Sequence, residues 1–235
     1  MVESMGMLLE AFNVAAGGIS IIDYSNGVNN GADVDQAATA EGGQVGDYLL
    51  VYHETEWDNQ VNMTAPTVTV GGSASAISFT NHVTANSGVN QLHTKVWGGY
   101  IVNAGDQVVT VNGITGSANQ LETLILRGVH ASSPISGTPT SNFSTTAGMT
   151  ATATGLTPAH DNCLLVASGQ CNDDNGDVVL TVPSGMTAQT QVVGTFQSGR
   201  LATLQLGAAG ATGNKDYTIS TSQKWATTLL ALRPA

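Results

Sequence analysis

His53, Glu54 and Glu56 place one imidazole beside two carboxylates, a set that could hold a divalent metal or pass a proton. They lie just past the apolar run Tyr48-Leu49-Leu50-Val51, so the plain reading is a solvated hairpin tip following a buried strand. Asn172-Asp173-Asp174-Asn175-Gly176-Asp177 carries the oxygen side chains of a calcium loop. Registering Gly176 on the invariant glycine of an EF-hand, however, puts Cys171 at the first ligand position and Val182 at the last, where oxygens are required. What remains is an Asp/Asn/Gly hairpin turn, with a loop calcium site as the alternative.

The five histidines, His53, His82, His93, His130 and His160, show no HxH, HExxH or His-plus-Cys spacing, and no GxSxG or Gly-rich phosphate loop occurs. The expectation is therefore a protein with no catalytic residues, no metal and no cofactor. Trp57, in HETEWDNQ, is the tryptophan placed for exposure and could stack on a sugar ring; Trp97 and Trp225 lie inside strand patterns, where burial is expected.

Period-two alternation dominates the rest of the chain. Leu201, Thr203 and Gln205 alternate with Ala202, Leu204 and Leu206, and Leu229, Leu230 and Leu232 form a run too apolar for a half-exposed strand. The same succession stands upstream in residues 93–127, where Arg127 answers Arg233 at an offset of 233 − 127 = 106. Gly46-Asp47-Tyr48-Leu49-Leu50-Val51 answers Asp161-Asn162-Cys163-Leu164-Leu165-Val166 at 163 − 48 = 115. The spacing predicts an all-β chain: a double-sheet β-sandwich resembling a jelly roll, built from two weakly duplicated halves (residues 18–130 and 149–235) joined by a Ser/Thr/Pro-rich crossover at 131–148. Strands are expected at 19–24, 48–53, 67–70, 77–79, 92–102, 107–111 and 121–129, and again at 149–154, 163–170, 178–182, 186–193, 200–206, 216–221 and 225–233. Residues 25–43, rich in Asn, Gly, Asp and Ala, read as a long loop. Leu121 to Leu126 and Leu229 to Leu232 both want coverage on two faces, so the halves should share one core.

Residues 1–17 are set apart as an N-terminal arm with a short helical pattern: Met5, Leu8, Leu9 and Phe12 fall at i, i+3, i+4 and i+7, and Gly17-Gly18 ends the run. The apolar gain of burying four side chains is offset by the cost of ordering the segment, so these four residues are the expected partner-binding stripe. The segment has no Lys or Arg and is broken by Glu10, unlike a signal peptide or membrane span. Cys163 and Cys171, if they share one extended strand, are about 26 Å apart at roughly 3.3 Å per residue and out of disulfide reach.

Only 10% of the residues are charged, and the formal net charge is −11. Six Lys and Arg against 17 acids disfavour nucleic acid, whose binding rests on neutralising phosphates. The low charge, with solubility left to Ser, Thr, Asn, Gln and Gly, suits exported or virion-borne β proteins.

Gly46-Asp47-Tyr48-Leu49-Leu50-Val51, the turn Gly207-Ala208-Ala209-Gly210-Ala211-Thr212-Gly213, Trp225 and the ending Ala231-Leu232-Arg233-Pro234 together resemble a pattern in β-sandwich virion proteins of tailed bacteriophages and phage-related bacterial loci. The likeness covers residues 46–235 and departs from the pattern in lacking an aromatic within Thr67 to Val70 and Ser184 to Thr187. The resemblance carries over no catalytic residue. It implies a virion structural protein on the particle surface: a capsid decoration or cement protein, a head fibre or a tail appendage. Made in the host cytoplasm without a signal peptide, it would contact phage capsid or tail proteins and assemble as a homo-oligomer, with a trimer implied by the resemblance alone. The alternative is a glycan-binding adhesin module that takes a host-surface glycan at Trp57.

Overall fold

A computed structural model describes residues 17–29, 35–56, 62–86, 92–114, 118–173 and 176–235. Among these residues the regular elements are strands: β1 (Ser20–Asn29), β2 (Gln36–Gly43), β3 (Tyr48–Glu56), β4 (Thr67–Val70), β5 (Ser73–Ser75), β6 (Thr80–Asn86), β7 (Leu92–Tyr100), β8 (Gly105–Val111), β9 (Asn119–Arg127), β10 (Thr140–Ala153), β11 (Leu164–Asn172), β12 (Leu180–Thr181), β13 (Thr187–Val193), β14 (Gln197–Gln205) and β15 (Lys215–Leu232). All pair antiparallel, in three sheets: β1-β9-β3-β7-β6, β2-β8-β4-β5, and β10-β15-β11-β14-β13 with β12 on β15. The all-β sandwich reading of the sequence holds, with the sheets numbering three.

Side-chain alternation decides how the sheets stack. On β3, Leu49 and Val51 pack with Val68, Val109 and Val111 of the four-stranded sheet. Tyr48, Leu50 and Tyr52, on the other face, pack with Leu164, Val166, Leu201 and Leu230 of the third sheet. The outer face of that third sheet is covered by its own chain. β15 is long enough to fold back, so that Tyr217 and Ile219 join Ala151, Ala153 and Leu180 over Leu165, Ala167, Leu229 and Ala231. Two sandwiches therefore stand back to back and share a seam, with β1 over β13 at one side and β6 over β10 at the other. Strands β3 and β9 are covered on both faces, which is why their sequences run apolar without alternation.

Three expectations are corrected by this arrangement and one open point is decided. Residues 25–43 are not one loop, since β1 runs on to Asn29 and β2 occupies Gln36–Gly43. The alternation there is carried by Ala38 and Ala40, buried against the first core, and small residues on a strand read as loop. Residues 77–79 are not a strand; Ile77 and Phe79 pack on the same core from the connection between β5 and β6. The crossover at 131–148, which the sequence leaves open between a linker and an extended strand-like segment on the surface, takes the second form over residues 140–148, the start of a strand, β10, that continues to Ala153. The two expected strands at 216–221 and 225–233 are one.

The order β1-β9-β3-β7-β6 has its counterpart in β10-β15-β11-β14-β13, strand for strand. Leu126 pairs with Tyr48 and Leu232 with Leu164, so matching pairing partners sets Tyr48 against Leu164, an offset of 164 − 48 = 116. The sequence-derived 115 is one residue short. That slip would turn the seam face of β3 onto the outer face of β11.

The offset of 116 also explains the turn that opens each half. Gly46 has φ 91° and its counterpart Asn162 has φ 55°, left-handed conformations that Gly and Asn tolerate best. Asp47, beside the first turn, accepts from Arg127 Nε at 2.9 Å and Nη2 at 2.8 Å and from the Gln44 N–H at 2.9 Å. Arg127 is 43% exposed, so its share is discounted for solvent screening. Asp47→Ala is expected to cost about 1–2 kcal/mol, chiefly through the lost backbone bond. Urea unfolding should show a lower midpoint at unchanged slope.

Candidate functional site

His53, Glu54 and Glu56 are fully buried, which corrects the solvated hairpin tip. The strand simply continues to Glu56 between two layers. Because alternate residues face opposite ways, His53 lies in the first sandwich near Asn119 Oδ1 (3.4 Å), while Glu54 and Glu56 enter the seam. The imidazole and the carboxylates are thus divided by the sheet.

The other expected sites fare differently. The turn after β11 is organised by one carboxylate: Asp173 Oδ1 accepts the N–H groups of Gly176 (2.7 Å) and Asp177 (3.1 Å), and Oδ2 accepts the Val178 N–H (3.0 Å) and the Ser198 hydroxyl (2.7 Å). Its lone pairs serve the chain itself. Cys163 and Cys171 are buried free thiols, and burial beside Asp173 and Glu54 pushes the Cys171 thiol up. His82 Nε2 meets Tyr48 Oη at 2.5 Å, and His160 Nδ1 meets Ser136 Oγ at 2.9 Å. Trp225 is buried and Trp97 half-buried beneath the Lys95 ammonium at 5.8 Å. Met5, Leu8, Leu9, Phe12 and Trp57 lie outside the described residues. No group of three or more His, Cys, Asp or Glu among the described residues could hold a metal ion.

The seam contains a constellation that the sequence reading did not single out. At one end it is apolar, with Leu50, Leu124, Val166, Leu201 and Leu230. At the other, direct pairing sets Tyr52 beside Glu122 and Glu54 beside Gln120, four polar side chains on one face of β3 and β9, all fully buried. Gln120 Nε2 donates to Glu54 Oε2 at 2.8 Å. Across the seam stand Ser168, bonded to Thr228 at 3.1 Å, and Gln170, which accepts from Thr94 Oγ1 (3.0 Å) and donates to Gln197 Oε1 (2.7 Å). Asn172 Nδ2 donates to Glu56 Oε1. Tyr52 Oη, Glu54 Oε1 and Gln120 Oε1 make no hydrogen bond of ordinary geometry with the described chain.

Space for this layer is made by Gly199 on β14. A Cβ there would come within 1.9 Å of Gln120 Nε2 and 2.6 Å of Glu54 Oε2.

The electrostatics follow from burial. Desolvation, with the neighbouring Glu122 acting in the same direction, raises the Glu54 carboxyl well above the usual carboxylate range; the Ser168 hydroxyl works in the opposite sense. Desolvation also raises Tyr52, reinforced by Glu122 and Glu54. On the other face of β3, burial lowers His53 to about 4, so its ring is neutral at pH 7. Glu54 is held between sheets where solvent does not reach it, an environment that favours its protonated form. Such a group can store a proton or lock a packing arrangement; with no surface access, it is not presented to a substrate.

Comparison with protein-family models, curated proteins and solved structures gives no match. The sequence signal for the polar layer was present but small. Glu122 stands in the apolar run Leu121-Glu122-Thr123-Leu124-Ile125-Leu126, and an acid in a strand covered on both faces must be buried with it.

Proposed function

We propose that the chain is a non-enzymatic structural protein of a bacteriophage particle, displayed on its surface as a capsid decoration or cement protein, a head fibre or a tail appendage. The observation that supports this reading is where the candidate chemistry ends. Glu54, Glu56, Glu122 and His53 are buried between sheets, and Asp173 and Asp47 are committed to the turns they hold. Side chains that would serve a reaction are spent on architecture. The resemblance of residues 46–235 to phage β-sandwich proteins supplies the virion context, and the net charge of −11 disfavours a nucleic-acid role.

Purified, salt-washed particles from a lysate are expected to contain the chain in fixed ratio to the main shell or tail protein, measured by quantitative mass spectrometry and located by immunogold labelling. Absence from washed particles overturns the proposal. In the same assay, deleting residues 1–16 removes Met5, Leu8, Leu9 and Phe12 and should abolish incorporation while leaving the circular dichroism of the β-sandwich intact. Normal incorporation of that variant would discard the arm as the attachment element. Glycan-array binding lost in Trp57→Ala would instead favour the adhesin alternative.

A further inference from the structure

The two halves meet as the subunits of a two-fold dimer meet. The register that sets β3 on β11 at an offset of 116 also sets β9 on β15 at 232 − 126 = 106. Because Tyr48 pairs with Tyr100 and Leu164 with Gln205, it sets β7 on β14 at 205 − 100 = 105. Across the seam β1 lies over β13 and β6 over β10, and likewise β9 over β14 and β7 over β15, so the contacts between sheets come in reciprocal pairs. Side chains repeat the reciprocity. Gln170 accepts from Thr94 Oγ1 at 3.0 Å, and the counterparts of these two residues, Glu54 and Gly199, also face each other: a Cβ on Gly199 would stand 2.6 Å from Glu54 Oε2. Glu56 and Asn172 are counterparts that touch, Asn172 Nδ2 donating to Glu56 Oε1, and a residue that meets its own counterpart lies on the two-fold axis.

About this axis the two faces differ in charge and in size. Where the first half has Glu54, Glu56 and Gln120, the second has Gln170, Asn172 and Ala226; where the first has Thr94, the second has Gly199. The amides of the second half reach across as donors, Gln170 Nε2 to Thr55 O at 3.3 Å and Gln197 Nε2 to Glu54 O at 3.4 Å. Pairing two first halves would set Glu56 against Glu56 on the axis. It would also put Thr94 where Gly199 stands, although a lone Cβ there already comes within 1.9 Å of Gln120 Nε2. Pairing two second halves brings no such repulsion, but it sets Gly199 and Ala226 opposite Gln170 and leaves the space of the larger side chains unfilled.

We propose that these residues form a pairing code: the seam face of the first half takes the seam face of a second half, from its own chain or a second copy, and rejects the face of another first half. The choice is made by a repulsive element as well as by fit. Residues 128–139, which join the halves, span about 40 Å when extended at roughly 3.3 Å per residue, enough for the second half of one copy to reach the first half of another. Crowded copies then keep their own seams closed or exchange unlike halves, and do not join like to like.

The test moves the code between copies of the full chain. In one variant, Gln170→Glu, Asn172→Glu, Gly199→Thr and Ala226→Gln give the second half the residues of the first, so both faces are acidic and large. In the other, Glu54→Gln, Glu56→Asn, Thr94→Gly and Gln120→Ala give the first half the residues of the second, so both faces are neutral and small. Each variant alone must close its seam on a like face, and each should lose about tenfold or more in folding equilibrium against wild type in urea. Refolded together from urea, the two should assort into mixed 1:1 species, read by native mass spectrometry, in excess of the proportion found when wild type is refolded with isotope-labelled wild type. Only exchange of halves gives both chains unlike seams. Random assortment overturns the proposal, and so does wild-type stability in the two separate variants. Should the variants fold neither alone nor together, the axial pair decides. Asn172→Glu should then weaken folding about tenfold, and adding Glu56→Asn, which exchanges the two residues across the axis, should recover most of the loss. No recovery overturns the code.

Discussion

Gly199→Ala is expected to destabilise the protein by about 3 kcal/mol, a large part of the total for a domain of ordinary stability. The added methyl would lie 1.9 Å from Gln120 Nε2 and 2.6 Å from Glu54 Oε2, distances that no packed carbon tolerates. Something must move, and both neighbours are fully buried on the facing sheet. Moving Gln120 breaks its 2.8 Å bond to Glu54 and leaves a buried carboxyl oxygen without its donor, a loss of about 1–3 kcal/mol on top of the strain. For a chain of this length the melting temperature should drop by about 6–12 °C. The mechanism is separable from a general intolerance at this strand position. Gln120→Ala removes the atom that the methyl strikes, so Gly199→Ala with Gln120→Ala should lose less than the sum of the two singles. Additive losses would mean that the damage lies in β14 itself and that the glycine is not spacing the polar layer.

That glycine illustrates why the architecture was more legible than its interior. Alternation and apolar density identified most strands because they record which faces are covered, and coverage is a property of single residues along one strand. Leu229, Leu230 and Leu232 show a central strand without any knowledge of its neighbours, and β15 does lie between β10 and β11. Pairing across layers is not written in the same way. Glu54 and Glu56 beside a histidine look like a polar tip, and only the continuation of β3 under a second sheet turns them into an interior layer. The short polar residues Ser168, Thr228 and Thr94 carry no periodic signal of their role, since Ser and Thr are common on every exposed strand here. The missed strand β2 has the same origin: alanine has too small an apolar surface to advertise a buried face, yet Ala38 and Ala40 are buried. Asp47 stood in the sequence only as part of the run that opens the first half, and its fork to Arg127, 80 residues on, could not be read from it.

Leu230→Ala, on the seam face of β15, should lower the stability of the entire chain by about 2–5 kcal/mol in one transition. Leu230 is fully buried among Leu50, Leu124, Val166 and Leu201, residues of both halves, whereas its neighbour Leu229 faces the second sandwich alone. Truncating either leucine leaves a cavity of similar chemistry, so the two variants differ in which cores they weaken. If the seam binds the sandwiches into one cooperative unit, both variants shift a single sigmoid that is the same whether followed by tryptophan fluorescence or by circular dichroism. Trp97 reports from the first core and Trp225 from the second, which makes a split visible. A seam too weak to couple them would show in Leu230→Ala as two separated transitions, while Leu229→Ala would move only the one seen by Trp225. That outcome would make the halves separate domains that merely touch.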